Sequence, residues 1–197
     1  MALVPILRPA TEPVSVSELK AHLRIDSAAD DAALASLITT ARLQIEAALS
    51  LALITQSWTW TIDRWPPRAS VELPLAPVQT IISVTAAHAD ETLVAMSPTN
   101  YILDGLSNSA RLIAKTSWPQ PGVRAQGIEI KLIAGFGTAA ADVPAAIRQA
   151  LLVLVAHWYS HRDTADGCGA TATNQAKSGP LPSAVNDLLA PYRRPRL

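Results

Sequence analysis

Gln56-Ser57-Trp58-Thr59-Trp60-Thr61-Ile62 is the stretch on which the fold turns. Its large apolar residues alternate with Ser and Thr at a period of two. It is also rich in β-branched and aromatic side chains, so it predicts a strand with one buried face. The pattern just before it is different. Leu34, Leu37, Ile38, Ala41, Ile45, Ala48 and Leu49 recur every three or four residues, the stripe of an amphipathic helix over 30–49. The change of period near Thr55 marks a passage from helix to sheet, and the chain is expected to be α+β.

Working upstream, Ser15-Val16-Ser17-Glu18 has the form of a capping box, with Ser15 as N-cap. Val14 and Leu19 occupy the positions of a hydrophobic staple. Leu19, Leu23 and Ile25 then give the apolar stripe of a short helix over 15–26. Downstream, Trp65-Pro66-Pro67 ends the first strand, and β-like runs follow at 70–73, 78–86, 101–103, 111–113 and 128–133. Pro74, Pro77, Asp104-Gly105, Pro119 and Pro121-Gly122 punctuate them. Gly135-Phe136-Gly137 closes this region. Asp142-Val143-Pro144 opens a third helix over 144–161, with proline in its first turn, where a missing N–H costs little. That helix is apolar nearly all round from Leu151 to Ala156, which predicts a place at the centre of a helical core. The expected architecture is a helical bundle core of three main helices. Residues 1–54 and 138–165 would form it, with 55–137 as a small inserted antiparallel β region and 166–197 as an extended C-terminal arm.

Composition narrows the function. The 197 residues are 49% hydrophobic, enough for a real core. Sixteen cations balance sixteen acids, which argues against a general nucleic-acid-binding protein with its basic excess. The single cysteine, Cys168, allows no intrachain disulfide and fits a reducing compartment. It lies in Gly167-Cys168-Gly169, with no base nearby beyond His157 and His161 to activate it. The N-terminus lacks the apolar core and cleavage site of a signal peptide. The most apolar stretch, 145–158, is shorter than the ~20 residues of a membrane span. After Asp163 the composition shifts to Gly, Ala, Thr, Asn and Ser, as in a flexible linker. Leu181, Val185, Leu188 and Leu189 follow at helical spacing, then Tyr192, Arg193, Arg194 and Arg196. So short a helix is marginal alone in water, and aromatics with arginines are common in interface hot spots. These eight residues are the candidate partner-binding site, on an arm that orders when it docks. Packing of the arm onto its own subunit is the rival reading.

Residues that would carry chemistry are sparse. His157 and His161 are four apart on one helix, a spacing that can place two imidazoles on one metal. The Glu of a zinc-protease helix is missing between them, and His22 and His88 stand in unrelated elements. A polar helix end is the simpler account. Asp30-Asp31 point in different directions on a helix and form no dyad. Gly135-Phe136-Gly137 lacks the further glycine and the lysine of a phosphate loop. Trp58, Trp60, Trp65 and Trp118 could stack a sugar or base, but packing is the more frequent use of such residues. No catalytic, cofactor-binding or metal-binding residue is assigned.

The order of elements resembles a known family. Pro13-Val14-Ser15-Val16-Ser17-Glu18-Leu19-Lys20-Ala21-His22-Leu23-Arg24-Ile25-Asp26 is similar to the opening of head-to-tail connector (adaptor) proteins of tailed phages. So are Leu34, Ile38, Ala41, Arg42, Ile45 and Glu46. The likeness continues through Leu73-Pro74-Leu75-Ala76-Pro77-Val78, Tyr101, Ala134-Gly135-Phe136-Gly137 and Val143-Pro144-Ala145-Ala146-Ile147. It ends with Ala150, His157-Trp158-Tyr159, Arg162 and Leu188-Leu189-Ala190-Pro191-Tyr192-Arg193. The resemblance implies a structural protein of a phage, a prophage or a gene transfer agent, with no enzyme activity. It implies a ring of identical subunits, a dodecamer, docked under the portal protein and joined on its other face to a tail-side connector or stopper. DNA would pass through the channel without specific binding, and no membrane would be involved. Assembly would take place in the bacterial cytoplasm, and the finished ring would sit in the particle neck. The C-terminal arm would then dock on the portal. The alternative is a helix-turn-helix DNA-binding protein built on the first two helices. Its recognition helix would begin Asp30-Asp31 and offer only Arg42 as a cation, a poor match to a phosphate-lined groove.

Overall fold

The computed structural model describes residues 1–7, 9–90, 92–105, 109–123, 125–161 and 181–193. The chain divides into two compact units, Met1–Thr11 with Ser50–Thr138, and Glu12–Leu49 with Ala139–Leu197.

The described residues of the first unit form eight strands: β1 (Ala2–Pro5), β2 (Gln56–Ile62), β3 (Ser70–Glu72), β4 (Val78–Ala87), β5 (Leu93–Ala95), β6 (Tyr101–Asp104), β7 (Arg111–Ala114) and β8 (Ile128–Ala134). They form a five-stranded sheet in the order β1-β2-β8-β4-β5 and a three-stranded sheet in the order β3-β7-β6. Every pairing between strands is antiparallel. In β8 the period of two is clean: Ile128, Ile130, Leu132 and Ala134 are buried, while Glu129, Lys131 and Ile133 between them are partly exposed. Trp60 of β2 and Val84 of β4 both stand opposite Ile130. The inner faces of both sheets contribute to one core, which joins Trp60, Ile130 and Leu132 to Val71, Tyr101 and Leu112. Each such side chain gains about 1.5–3 kcal/mol over leaving it in water.

The second unit contains α1 (Val16–Leu23), α2 (Asp31–Leu49), α3 (Ala145–Ser160) and α4 (Ser183–Leu189). Ser15 caps α1 as its sequence predicts, its hydroxyl accepting from the Glu18 N–H at 3.1 Å. Val14 and Leu19 are both buried. The helix stops at Arg24, whose φ of 58° lies in the left-handed region. The N–H groups of Arg24 and Ile25 donate back to the carbonyls of Ala21 and Lys20, closing the end in the usual way. α3 packs against α1, α2 and α4 and buries Ile147, Leu151 and Leu154. Among the described residues no helix is long and apolar enough to cross a membrane.

The expected helical bundle of three main helices with a small β insertion is therefore corrected. The described residues hold four helices and two antiparallel sheets of eight strands, with 35% of the chain helical and 27% strand. The β part is no excursion from a helical core, since it has a core of its own. The reason is physical. A strand with one apolar face must cover it, and here the cover is a second sheet rather than a helix. β1 also comes from the far N-terminus and pairs with residues 58–61, a partnership no local pattern announces.

Candidate assembly interface

The proposed docking residues sit in and around α4. Leu181, Val185 and Leu189 are buried, on the side of a helix that packs against α3. The spacing seen in the sequence thus serves a contact within the chain. Leu188 and Tyr192 are half-buried, and Arg193 is exposed. The Asn186 side chain organises this corner. Its Nδ2 donates to the Leu181 carbonyl at 2.9 Å, and its Oδ1 accepts from Arg193 Nη2 at 2.6 Å. Arg194 and Arg196 lie outside the described residues, as do residues 162–180, which include the start of the expected arm at 166–197. Of the eight proposed docking residues, those described and accessible are Leu188, Tyr192 and Arg193.

Among the described residues, four polar clasps hold the helical unit. Arg42 is buried and bridges two acids, with Nε donating to Glu12 Oε2 and Nη1 to Glu46 Oε2, both at 2.8 Å. Burial alone would lower the pKa of this guanidinium. Its hydrogen bonds to Glu12 and Glu46 and their negative charge outweigh that, and the net shift is upward. Arg148 Nη2 donates to Glu18 Oε1 at 2.5 Å and Nε to the Pro13 carbonyl at 3.2 Å. Lys20 pairs with Asp31 at 2.8 Å, and the Tyr159 hydroxyl donates to Asp30 Oδ2 at 2.7 Å. Asp30 and Asp31 thus have separate structural partners. A groove of about 520 Å³ beside α1 is lined by Lys20, Arg24, Asp26 and Asp31 among others. The Lys20–Asp31 pair is part of its lining. The signal for Arg42 was available, since Arg and Glu stand four apart on one face, but the sequence does not say that Glu12 folds back onto it.

His157 and His161 lie with ring centroids 4.3 Å apart, and His161 Nδ1 contacts the His157 carbonyl at 2.7 Å. Among the described residues no group of three His, Cys, Asp or Glu could hold a metal ion. Cys168 is outside the described residues. The tryptophans go into packing. Trp60 is buried in the β core with Trp58 packed beside it. Trp65 stacks on Trp118 at 4.2 Å and donates through Nε1 to the Pro119 carbonyl at 2.7 Å.

The five-stranded sheet shows further unshielded surface. Met1, Val4, Ile6 and Leu7 are exposed along its β1 side, and Ile82, Leu93 and Val94 at its β4–β5 side. Their signal in the sequence was the lack of any charged side chain in 1–7, 78–87 and 92–96.

What these surfaces offer is contact area, the build of a structural assembly protein. The comparisons with known proteins agree. The chain is similar in structure to a component of the neck of an empty gene transfer agent (GTA) particle computed with C6 symmetry. The TM-score is 0.82 at 25% identity, over 100% of this chain and 97% of that one. It is similar to a chain from the virion of a native GTA particle, with TM-score 0.81, 26% identity and the same coverage, 100% and 97%. A chain from the neck of a native GTA particle computed with C12 symmetry gives 0.77 at 26% identity, again over 100% and 97%. No curated protein sequence matches. The pattern of the head completion protein family matches residues 12–195, and the chain belongs to that family. Its role is structural, as a head-to-tail connector of a phage-like particle.

Proposed function

We propose that this chain forms a ring in the neck of its particle, between the portal protein and a tail-side connector or stopper, and extends the channel through which DNA passes. The observation that carries this is the match over essentially the full length of both chains to neck components of GTA particles. Both units are included in that match, so the likeness is not confined to a common helical motif. Twelve copies per ring fit one of those necks, computed with C12 symmetry. The ring acts by contact and positioning, without catalysis. Subunits fold in the bacterial cytoplasm and end in the particle neck.

The C-terminal segment is the docking element for the portal. Leu181, Val185 and Leu189 anchor α4 on α3. Leu188, Tyr192 and Arg193, with Arg194 and Arg196 beyond them, make the contact. Aromatic and arginine side chains are the residue types that dominate such interfaces. The test is to purify particles from cells lacking this chain. Heads should form and fill but carry no tails, and the chain supplied in trans should restore tails and co-purify with the portal. Normally tailed particles made without it would refute the reading. A variant with Tyr192→Ala and Arg193→Glu should fold normally and fail to attach.

A further inference from the structure

We propose that neighbouring copies meet through the two opposite edges of the five-stranded sheet, the Met1–Leu7 margin of one copy against the β4–β5 margin of the next. The inference rests on the ring reading above and says which surfaces close the ring. Seven of the nine exposed large apolar side chains among the described residues lie at these two margins, from Val94 at 40% to Met1 at 86% exposure. The margins are at opposite ends of one sheet, so one subunit can present them to two neighbours at once. A closed ring of identical subunits requires two different, mutually complementary patches on each copy.

Charge patterning points the same way. Free sheet edges are ordinarily guarded by lysines or other charged side chains. Residues 1–7, 78–87 and 92–96 contain none. Uncharged apolar edges of this kind are surfaces made to be covered.

The backbone limits how they are covered. The Ile6 N–H donates to the Ser57 carbonyl at 2.8 Å. Alternation along an antiparallel pair then turns the backbone groups of Leu3 and Pro5 outward, and proline has no N–H to give. At the other margin β4 is bulged, with register shifts between Val78 and Thr80 and between Ile81 and Ser83. The second shift leaves Ile82 as the extra, outward residue. Bulges and edge prolines oppose strand addition. Where β1 carries Pro5 and where β4 is bulged before β5 begins, contact is therefore made by side chains, Val4, Ile6 and Leu7 against Ile82, with Leu93 and Val94 of β5 beside it.

The test uses particles assembled with the full chain carrying Val4→Lys, Leu93→Glu, or both. Each single charge should cut the yield of neck rings about tenfold or more, and the opposite-charge pair should recover most of the loss. Circular dichroism of the purified variants should match wild type, which separates failed contact from failed folding. Independently, Leu7→Cys with Leu93→Cys in a Cys168→Ser background should give a ladder of disulfide-linked oligomers from oxidised particles, and neither cysteine alone should do so. Rings at normal yield from both single variants, or wild-type rings with no ladder from the cysteine pair, would overturn the edge contact and leave the ring itself standing. Cross-links to portal or tail protein in place of self-linked oligomers would also overturn it. Wild-type necks without a ring of this chain would remove both this inference and the reading it rests on.

Discussion

Replacing Arg42 by Met should destabilise the helical unit by about 3 kcal/mol, at the low end of the 3–5 kcal/mol typical when one partner leaves a buried ion pair. The figure follows from the geometry. Arg42 is 4% exposed and makes two charged hydrogen bonds at 2.8 Å, with a third contact from Nη2 to Glu12 Oε1 at 3.4 Å. Met keeps most of the aliphatic stem in place, so little packing is lost. What goes is the cation that offsets Glu46, whose side chain is 8% exposed, and Glu12, at 30%. Because Glu12 is the wetter of the two, its half of the bridge is discounted. Glu12→Gln alone should then cost only about 1 kcal/mol. Adding Glu46→Leu to Arg42→Met should recover about 2 kcal/mol, since an apolar replacement of a whole buried pair is often close to neutral. The assay is urea unfolding followed by helical ellipticity, with the slope of free energy against urea unchanged so that midpoints compare directly. A loss below about 1 kcal/mol for Arg42→Met, or no recovery in the double variant, would refute the view that this buried bridge fastens Glu12 to α2.

Leu151 is 1% exposed in α3. Leu151→Asp should abolish soluble folding, and Leu151→Ala should cost about 2–5 kcal/mol by thermal or urea unfolding. A soluble, folded aspartate variant would show that α3 is not central to its unit. Arg24 sits at φ 58°, so Arg24→Gly should raise stability by about 1 kcal/mol; a lower melting temperature would mean the arginine side chain earns its strained place through contacts. His157→Gln with His161→Gln should leave folding and assembly intact, and loss of a stoichiometric metal by elemental analysis, together with function, would overturn that. Burial pushes the Tyr101 phenol above its ordinary 10.0. A raised folded-state value means its contribution is complete below the unfolded pKa and is lost as pH rises through the folded one, so the β unit should weaken above about pH 10. An equal alkaline loss in Tyr101→Phe would exclude this tyrosine as the cause.

The elements legible in the sequence are those whose burial is decided locally. In α2 and β2 one face is buried and the other is not, so the period survives in the residue types. β1 and β5 are four and three residues long, too short to show a period, and each is defined by a partner strand. The layering of two sheets was hidden for a different reason, because alternation shows that a face is covered and not what covers it. The same limit applies at the candidate interface. Leu181, Val185 and Leu189 have the spacing of a helix that docks, but whether it docks at home or on a neighbour depends on α3 having apolar surface to receive it. Tyr192 and Arg193 stayed at least partly accessible because they lie past the last buried turn.

A neutral chain with apolar sheet margins faces a conflict between assembly and aggregation. Zero formal net charge removes the general repulsion that keeps proteins apart, and the uncharged margins remove the local repulsion as well. Attraction between copies is therefore favoured on two counts, and what must be controlled is its geometry. Strand addition is the geometry to avoid, because backbone pairing is indifferent to sequence and can continue without closing. Pro5 at one margin and the bulges of β4 beside Ile82 at the other withdraw backbone pairing next to exposed apolar side chains. Side-chain contact remains, and it depends on shape, so it can fix the angle between neighbours. A fixed angle is what turns a head-to-tail contact into a ring of definite size rather than a fibre.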